Sequence, residues 1–214
     1  YGLIRRTSNS TLANITHIEN KLRLIPGDVT DQGSLIRALK LSNPDEIYHL
    51  ASQSHVGYSF ETPVSTMDIT GMGTVHMLEA MRLTCPNSKF YQAGSSEQFG
   101  NATISPQDEF TPFEPVSPYG IAKTFAYNVA QMYKCSYKLF VFCGIAYNHE
   151  SPKRGEQFVT RKITLAVARI KAGLQQTLEL GDTSTRRDWS HARDIMHGAW
   201  SMEQKDEPDN YVLA

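Results

Sequence analysis

Lys89-Phe90-Tyr91-Gln92-Ala93 runs directly into Gly94-Ser95-Ser96-Glu97, and the next strong signal is Ser117-Pro118-Tyr119-Gly120-Ile121-Ala122-Lys123. The first five residues are short, apolar and aromatic, as a buried strand is. Ser117 before Pro118 is an N-cap followed by a first helical position, which opens a helix through about Tyr133. Lys138 to Ala146 is again apolar, β-branched and aromatic and predicts the next strand. A strand, a helix and a strand of these lengths make a right-handed crossover between parallel strands.

The same alternation extends outward in both directions. Tyr1 to Ile4 and Leu22 to Ile25 predict strands, the second closed by Pro26-Gly27. Asp31 caps a helix through Leu41 that Pro44 ends. Glu46 to Leu50 is a strand. Pro63 to Leu83 carries Val64, Met67, Met72, Val75 and Leu78 at helical spacing. Phe158 to Ala172 and Asp194 to Glu203 are helices, and Tyr211 to Ala214 is strand-like. This predicts an α/β chain with a doubly wound parallel sheet. The ends read as cut inside strands, so the expectation is a piece of a longer chain, without a signal peptide.

Composition narrows the function classes. The chain has 214 residues, 40% hydrophobic and 20% charged, enough for a sizeable core. Lys+Arg is 21 and Asp+Glu is 22, a net charge of −1, which gives no reason to expect a nucleic-acid or anionic-membrane partner. The longest apolar runs, such as Leu139 to Ala146, are too short to cross a bilayer. Cys85, Cys135 and Cys143 are an odd, unclustered set, read as reduced thiols of a cytosolic protein and not as a zinc site or disulfide framework. No metal is expected.

In such a sheet, ligands bind beyond the carboxyl ends of the strands. After the first strand come Arg5, Arg6, Thr7 and Ser8, where a dinucleotide fold places the adenosine ribose. Arginine with hydroxyls there suits a 2′-phosphate; a solvated basic turn fits equally well. After the second comes Gly27-Asp28-Val29-Thr30-Asp31, where Asp28 either accepts from an adenine amino group or closes a turn before the helix cap. After the third come Leu50, Ala51, Ser52, Gln53, Ser54 and His55, small residues past which a cofactor can approach closely. Taken alone, His55 is better read as structural.

After the fourth strand come Ser95 and Glu97, and then Tyr119 and Lys123, which share a helix face at i and i+4. A lysine one turn from a tyrosine can lower the phenol toward neutrality, especially beside a cationic nicotinamide ring, and make a tyrosinate base, with a serine hydroxyl completing the hydrogen bonding. YxxxK alone is a weak signal. Ser-Ser-Glu after a strand, followed by S-P-Y-G-x-A-K on a capped helix, is a strong one.

These residues resemble the extended short-chain dehydrogenase/reductases, which carry a Ser/Thr-Tyr-Lys site on a Rossmann fold. Asn148-His149-Glu150-Ser151-Pro152-Lys153-Arg154-Gly155 and Phe158-Val159-Thr160-Arg161-Lys162-Ile163 are similar to blocks of the GDP-mannose 4,6-dehydratase family within it. So are Gln53-Ser54-His55-Val56, Lys89 to Ala93, Arg186-Arg187-Asp188-Trp189 and Asp206-Glu207-Pro208. The resemblance spans the whole chain, and its first two blocks are far more specific than YxxxK.

The resemblance implies conversion of GDP-mannose to GDP-4-dehydro-6-deoxymannose with NADP, the first step toward GDP-fucose and related deoxysugars. It implies that Tyr119, with Lys123 and Ser95, handles the C4 hydroxyl proton, and that Glu97 handles the C5 proton and the departing water. An epimerase or reductase does not need that second acid/base. It places Arg5, Arg6, Thr7, Ser8, Asp28, Val29, Leu50, Ala51, Ser52, Gln53, Ser54, Lys123, His149 and Arg154 on the cofactor. Asn148, Lys162 and Arg187 are the candidates for the GDP-sugar, whose diphosphate needs cations. It divides the chain into a Rossmann core over 1–147 and a mixed region over 148–214 that contributes to a smaller sugar-binding domain and returns to the core. Its Arg-rich loop at a subunit contact implies a homodimer or homotetramer.

The sequence departs from the family in four places. Ser95 stands for a threonine, Gly94 for a serine and Ser65 for a cofactor-contacting tyrosine. The glycine-rich G-x-x-G-x-x-G turn is not in the sequence, and its expected place precedes Tyr1. The alternatives left open are an NADP-dependent epimerase or reductase on another nucleotide sugar, and a non-catalytic NADP-binding module.

Overall fold

The computed structural model describes residues 1–7 and 12–214. Its centre is a parallel sheet of four strands: β3 (Glu46–His49), β4 (Lys89–Ala93), β5 (Phe140–Ala146) and β8 (Asn210–Leu213), in the order β3-β4-β5-β8. A separate parallel pair joins β1 (Gly2–Ile4) to β2 (Leu24–Pro26). A third joins β6 (Asn148–Glu150) to β7 (Trp189–His191). The helices are α1 (Gln32–Ser42), α2 (Val56–Glu61), α3 (Pro63–Thr66), α4 (Gly73–Thr84), α5 (Pro118–Tyr137), α6 (Val159–Lys171) and α7 (Ala192–Glu203). The chain is thus α/β with parallel strands linked by helices.

Alternation along the central strands makes two cores. Ile47, Phe90, Val141 and Cys143 face α1, α4 and α5, where Leu35, Leu78, Met81 and Ala130 meet them. Tyr91 and Phe142 face the other way, onto Ala199 and Met202 of α7. Ala122, Ala126 and Ala130 are fully buried, so α5 lies close against the sheet and its first turn sits at the carboxyl end of β4.

Local chemistry sets the helix bounds. Asp31 Oδ1 accepts from Ser34 N–H at 3.2 Å and caps α1. That helix stops at Asn43, in the left-handed region at φ 41°, one residue before Pro44. Ser117 Oγ accepts from Gly120 N–H at 3.0 Å, with Pro118 at the first helical position. The helix then continues to Tyr137, past the expected end at Tyr133, until Lys138 turns left-handed at φ 57°. β5 therefore begins at Phe140 and not at Lys138.

The long helix expected from Pro63 to Leu83 is present, with a wide π turn over Met67–Met72 inside it. Two glycines let this stretch press against its neighbours. A Cβ on Gly71 would meet Phe125 at 3.1 Å, and one on Gly73 would meet Val29 at 3.0 Å.

Candidate active site

The site is assembled where β4 ends against the first turn of α5. Ser95 caps a short 3-10 turn over Ser96–Gln98: its Oγ accepts from Glu97 N–H at 3.3 Å, and Gln98 Oε1 accepts from Ser95 N–H at 2.8 Å. This capping box fixes Glu97, half-buried, at the carboxyl end of β4. Gly120 then admits the helix, since a Cβ there would stand 2.6 Å from the Glu97 carbonyl oxygen. Tyr119 donates its backbone N–H to Ser59 Oγ at 3.3 Å, so α2 also holds it in place.

Tyr119 is 8% exposed and Lys123 4% exposed. Lys123 Nζ donates to the Ala93 carbonyl at 2.7 Å and lies 5.8 Å from the centre of the Tyr119 ring. Ser95, Ser52, Glu97 and Arg154 lie near enough to the Tyr119 hydroxyl to bear on its ionisation. The structure thus brings the four predicted catalytic residues together, and Ser52 with them.

The electrostatics correct one expectation. The Tyr119 phenol is raised, not lowered. Burial disfavours the phenolate, and the nearby Ser95 and Ser52 hydroxyls together with the Arg154 charge offset only part of that. Burial also brings Lys123 down, to about 8. The lysine is therefore a cation close to its titration point at neutral pH.

The candidate cofactor residues fall into two groups. Arg5, Arg6 and Asp28 line one cavity of about 290 Å³, joined by Arg37. Asp28 Oδ1 accepts from Thr30 N–H at 3.0 Å and from Thr30 Oγ1 at 2.9 Å. With Arg5 nearby, those bonds hold the carboxyl below its usual range. The turn-forming role of Asp28 is therefore real, whatever else it binds. Thr7 is exposed beside Arg6, and Ser8 lies outside the described residues. Val29 is buried, and its carbonyl pairs with His76 Nδ1 at 2.9 Å.

In the loop after β3, Leu50, Ala51 and Ser54 are exposed. Ser52 Oγ lies 3.1 Å from Thr70 Oγ1. Gln53 is held within the loop: its N–H donates to Thr70 Oγ1 and its amide to Thr66 Oγ1, both at 3.1 Å, while Oε1 accepts from His55 N–H at 2.7 Å. His55 Nδ1 accepts from Tyr58 N–H at 2.9 Å and caps α2, the structural role read from sequence.

The remaining candidates lie on the segment after β5. His149 Nδ1 pairs with the Tyr147 carbonyl at 2.8 Å. Arg154 stands 3.2 Å from Glu150 Oε2 and stacks 3.5 Å from the Phe158 ring centre. Asn148 is half-buried on β6, in register with Trp189, two residues from Arg187. Arg187 and Lys162 are exposed. Lys162 lines a groove of about 290 Å³ with Glu156, Arg169 and Glu179, and neither Asn148 nor Arg187 lines it. The three substrate candidates are thus not gathered in one cavity.

Sequence reasoning missed Arg37, Ser59, Gly120 and the tyrosine-facing role of Ser52. Gly120 was detectable, because a glycine inside a helix between two functional residues points to a close approach. Among the described residues, no group of three or more His, Cys, Asp or Glu side chains could hold a metal ion. No helix there is long and apolar enough to cross a membrane.

The sequence matches the GDP-mannose 4,6 dehydratase family over residues 1–214. It is 46% identical, over its full length, to a GDP-mannose 4,6-dehydratase of Yersinia enterocolitica and covers 60% of that protein. It is 48% identical to GDP-mannose 4,6 dehydratase 2 of Arabidopsis thaliana, again over its full length and 60% of the relative. The chain therefore spans about 60% of the length of these relatives. Among solved structures, it is similar to the dTDP-glucose 4,6-dehydratase DesIV of Streptomyces venezuelae with NAD bound. The TM-score is 0.85 at 26% identity, covering 99% of this chain and 65% of that one. It is also similar to RMD of Pseudomonas aeruginosa complexed with NADPH, with a TM-score of 0.81 at 26% identity, covering 89% and 66%.

Proposed function

The chain belongs to the GDP-mannose 4,6-dehydratase family, and on that premise we propose that it carries the catalytic centre of an NADP-dependent hydro-lyase acting on GDP-mannose. The observation that carries this reading is the convergence of Ser95, Ser52 and the Glu97 carboxylate on one buried tyrosine hydroxyl. A nicotinamide cofactor, when bound, would accept hydride from C4 and return it to C6, so that the oxidation of one carbon is balanced by the reduction of the other. The chain's own residues move the protons.

Tyr119 Oη would take the C4 hydroxyl proton, the positive charge of a bound oxidised nicotinamide lowering the phenol that burial raises. Ser95 and Ser52 would hydrogen-bond the phenolate, and Lys123, anchored on the Ala93 carbonyl with Nζ 5.8 Å from the ring centre, faces it as a cation. The C4 ketone acidifies C5. Glu97, half-buried near the same tyrosine, would take the C5 proton and deliver it to the departing C6 hydroxyl, which leaves as water. As C6 is reduced, Tyr119 would return its proton to C5, so both residues end the cycle as they began it and no net oxidant is consumed.

NADP is proposed over NAD because Arg5, Arg6 and Arg37 line the cavity beside Asp28, a donor set matched to a ribose phosphate. A Rossmann core over 1–147 and a region over 148–214 shared with a smaller sugar domain follow from the same reading. Cytoplasmic location and a homodimer or homotetramer belong to it as well.

The test is to mix the protein at its natural length with GDP-mannose and NADP⁺ and weigh the sugar. A product lighter by one water is expected. An unchanged sugar, or an epimer of the same mass, overturns the reading.

A further inference from the structure

Behind the Lys123 ammonium lies a buried polar pair that the mechanism above leaves unused. His49 of β3 and Gln92 of β4 are partners in register, on the sheet face covered by α4 and α5. They are 3% and 1% exposed. Gln92 Nε2 donates to the Ala93 carbonyl at 3.3 Å, and that same oxygen accepts from Lys123 Nζ at 2.7 Å. This bond fixes the amide, because turned over it would set oxygen against oxygen. Gln92 Oε1 and His49 Nε2 then have no partner.

Native interiors leave few such groups unpaired, and each one calls for an account. His49 is neutral: burial and the Lys123 charge push it down to about 3. A neutral imidazole carries one N–H, and only the tautomer with that proton on Nε2 complements the neighbouring Gln92 oxygen. The other ring packed on His49 is Phe90, with centroids 5.9 Å apart, so the one charge acting on it is that of Lys123.

We propose that Gln92 and His49 are positioning residues for Lys123: His49 Nε2–H donates to Gln92 Oε1, and the Gln92 amide donates to the Ala93 carbonyl that anchors the ammonium. The contact closes by rotation of the imidazole toward its register partner. The carbonyl divides its acceptor strength between two donors. The lysine is thereby held in place without being fully satisfied, and two of its N–H groups remain for the tyrosine side. Only the kinetic readout below rests on the dehydratase reading.

The experiment uses the protein at its natural length. Lys123 is titrated by amine labelling across pH and mass spectrometry, and the alkaline limb of the kcat profile is recorded beside it. Gln92→Met removes the competing donor with little change in volume. The expected result is a Lys123 midpoint raised by about half a pH unit or more from its depressed value, with the alkaline limb moving the same way. His49→Leu moves both in the same direction by less, and His49→Gln, which keeps a donor, restores the original midpoint. A merely structural role would lower the unfolding temperature and leave both readouts where they are. A folded Gln92→Met protein with an unmoved Lys123 midpoint overturns the proposal. Independently of any variant, the 15N shifts of His49 should show the Nε2–H tautomer; the Nδ1–H tautomer overturns it. If the wild type labels as expected but does not dehydrate GDP-mannose, the functional reading fails and this one stands.

Discussion

The carboxyl end of β4 and the segment from Asn148 to Arg187 are built in opposite ways. At the first, Tyr119 and Lys123 are buried, one anchored by Ser59 and the other by the Ala93 carbonyl. At the second, Lys162 and Arg187 stand on the surface, and the only hydrogen bond of the Arg187 guanidinium among the described residues runs to the Arg186 carbonyl at 2.8 Å. Proton transfer needs atoms placed within a few tenths of an ångström, which dense packing supplies. Gripping a diphosphate needs charge within reach, which long exposed side chains supply at little cost in stability.

Four measurements sharpen or break this contrast. The largest effect belongs to the buried end: Tyr119→Phe should lower kcat by about 10²–10⁴-fold. Glu97→Gln should match it for water loss in a mass assay, whereas turnover that survives Glu97→Gln would turn the reading toward an epimerase.

Next is Gly120→Ala, which adds a Cβ 2.6 Å from the backbone oxygen of Glu97. Helix and turn must separate, with an expected loss of about 10² in kcat and about 1–3 kcal/mol in stability by denaturant titration. A silent Gly120→Ala would show that this close approach does not matter.

At the exposed end, Arg187→Ala and Lys162→Ala should raise KM for the nucleotide sugar about tenfold. Each should leave the unfolding temperature within a degree or so, as surface changes usually do. A large fall in stability from either would place it in a packed region after all.

The smallest effect on activity is expected at a third place, where stability itself depends on pH. Glu203 of α7 is fully buried with neither carboxylate oxygen paired, and burial, with Glu46 nearby, raises it to about 7. Tyr48 and Tyr91 of the sheet and Lys89 complete its surroundings. Its folded value lies above the unfolded one of 4.5, so the protonated native form is favoured. The associated stability is complete below about pH 4.5 and is lost as pH rises through about 7. Glu203→Gln should flatten that limb of the stability profile. A limb that persists in the variant assigns it to another group.

The buried end was the more legible of the two in sequence. β4 has the expected bounds, and Ser117 and Pro118 start α5 as read, because both signals are local. The end of α5 was not legible: Lys138 turns left-handed where no glycine marks the place. β6 and β7 were missed because three polar-rich residues each carry no strand pattern and pair only through tertiary contact. The raised Tyr119 phenol was missed for a related reason. Spacing places a lysine beside a tyrosine but says nothing of how deeply both are buried. The exposed end was legible only through resemblance to family blocks, since Lys162 and Arg187 are fixed by no packing that a pattern could report.

The pairing of β5 with β8 has a consequence for synthesis on the ribosome. β5 is complete at Ala146, but the partner along its outer edge begins at Asn210. At about 5–20 residues per second, the intervening stretch takes about 3–13 s to emerge. Through that interval the nascent chain holds a buried-type strand with an open edge and with Tyr91 and Phe142 still lacking α7 as a cover. An unpaired parallel edge of this kind is a template for other chains. The interval between β5 and β8 is therefore where a chaperone has the most to shield.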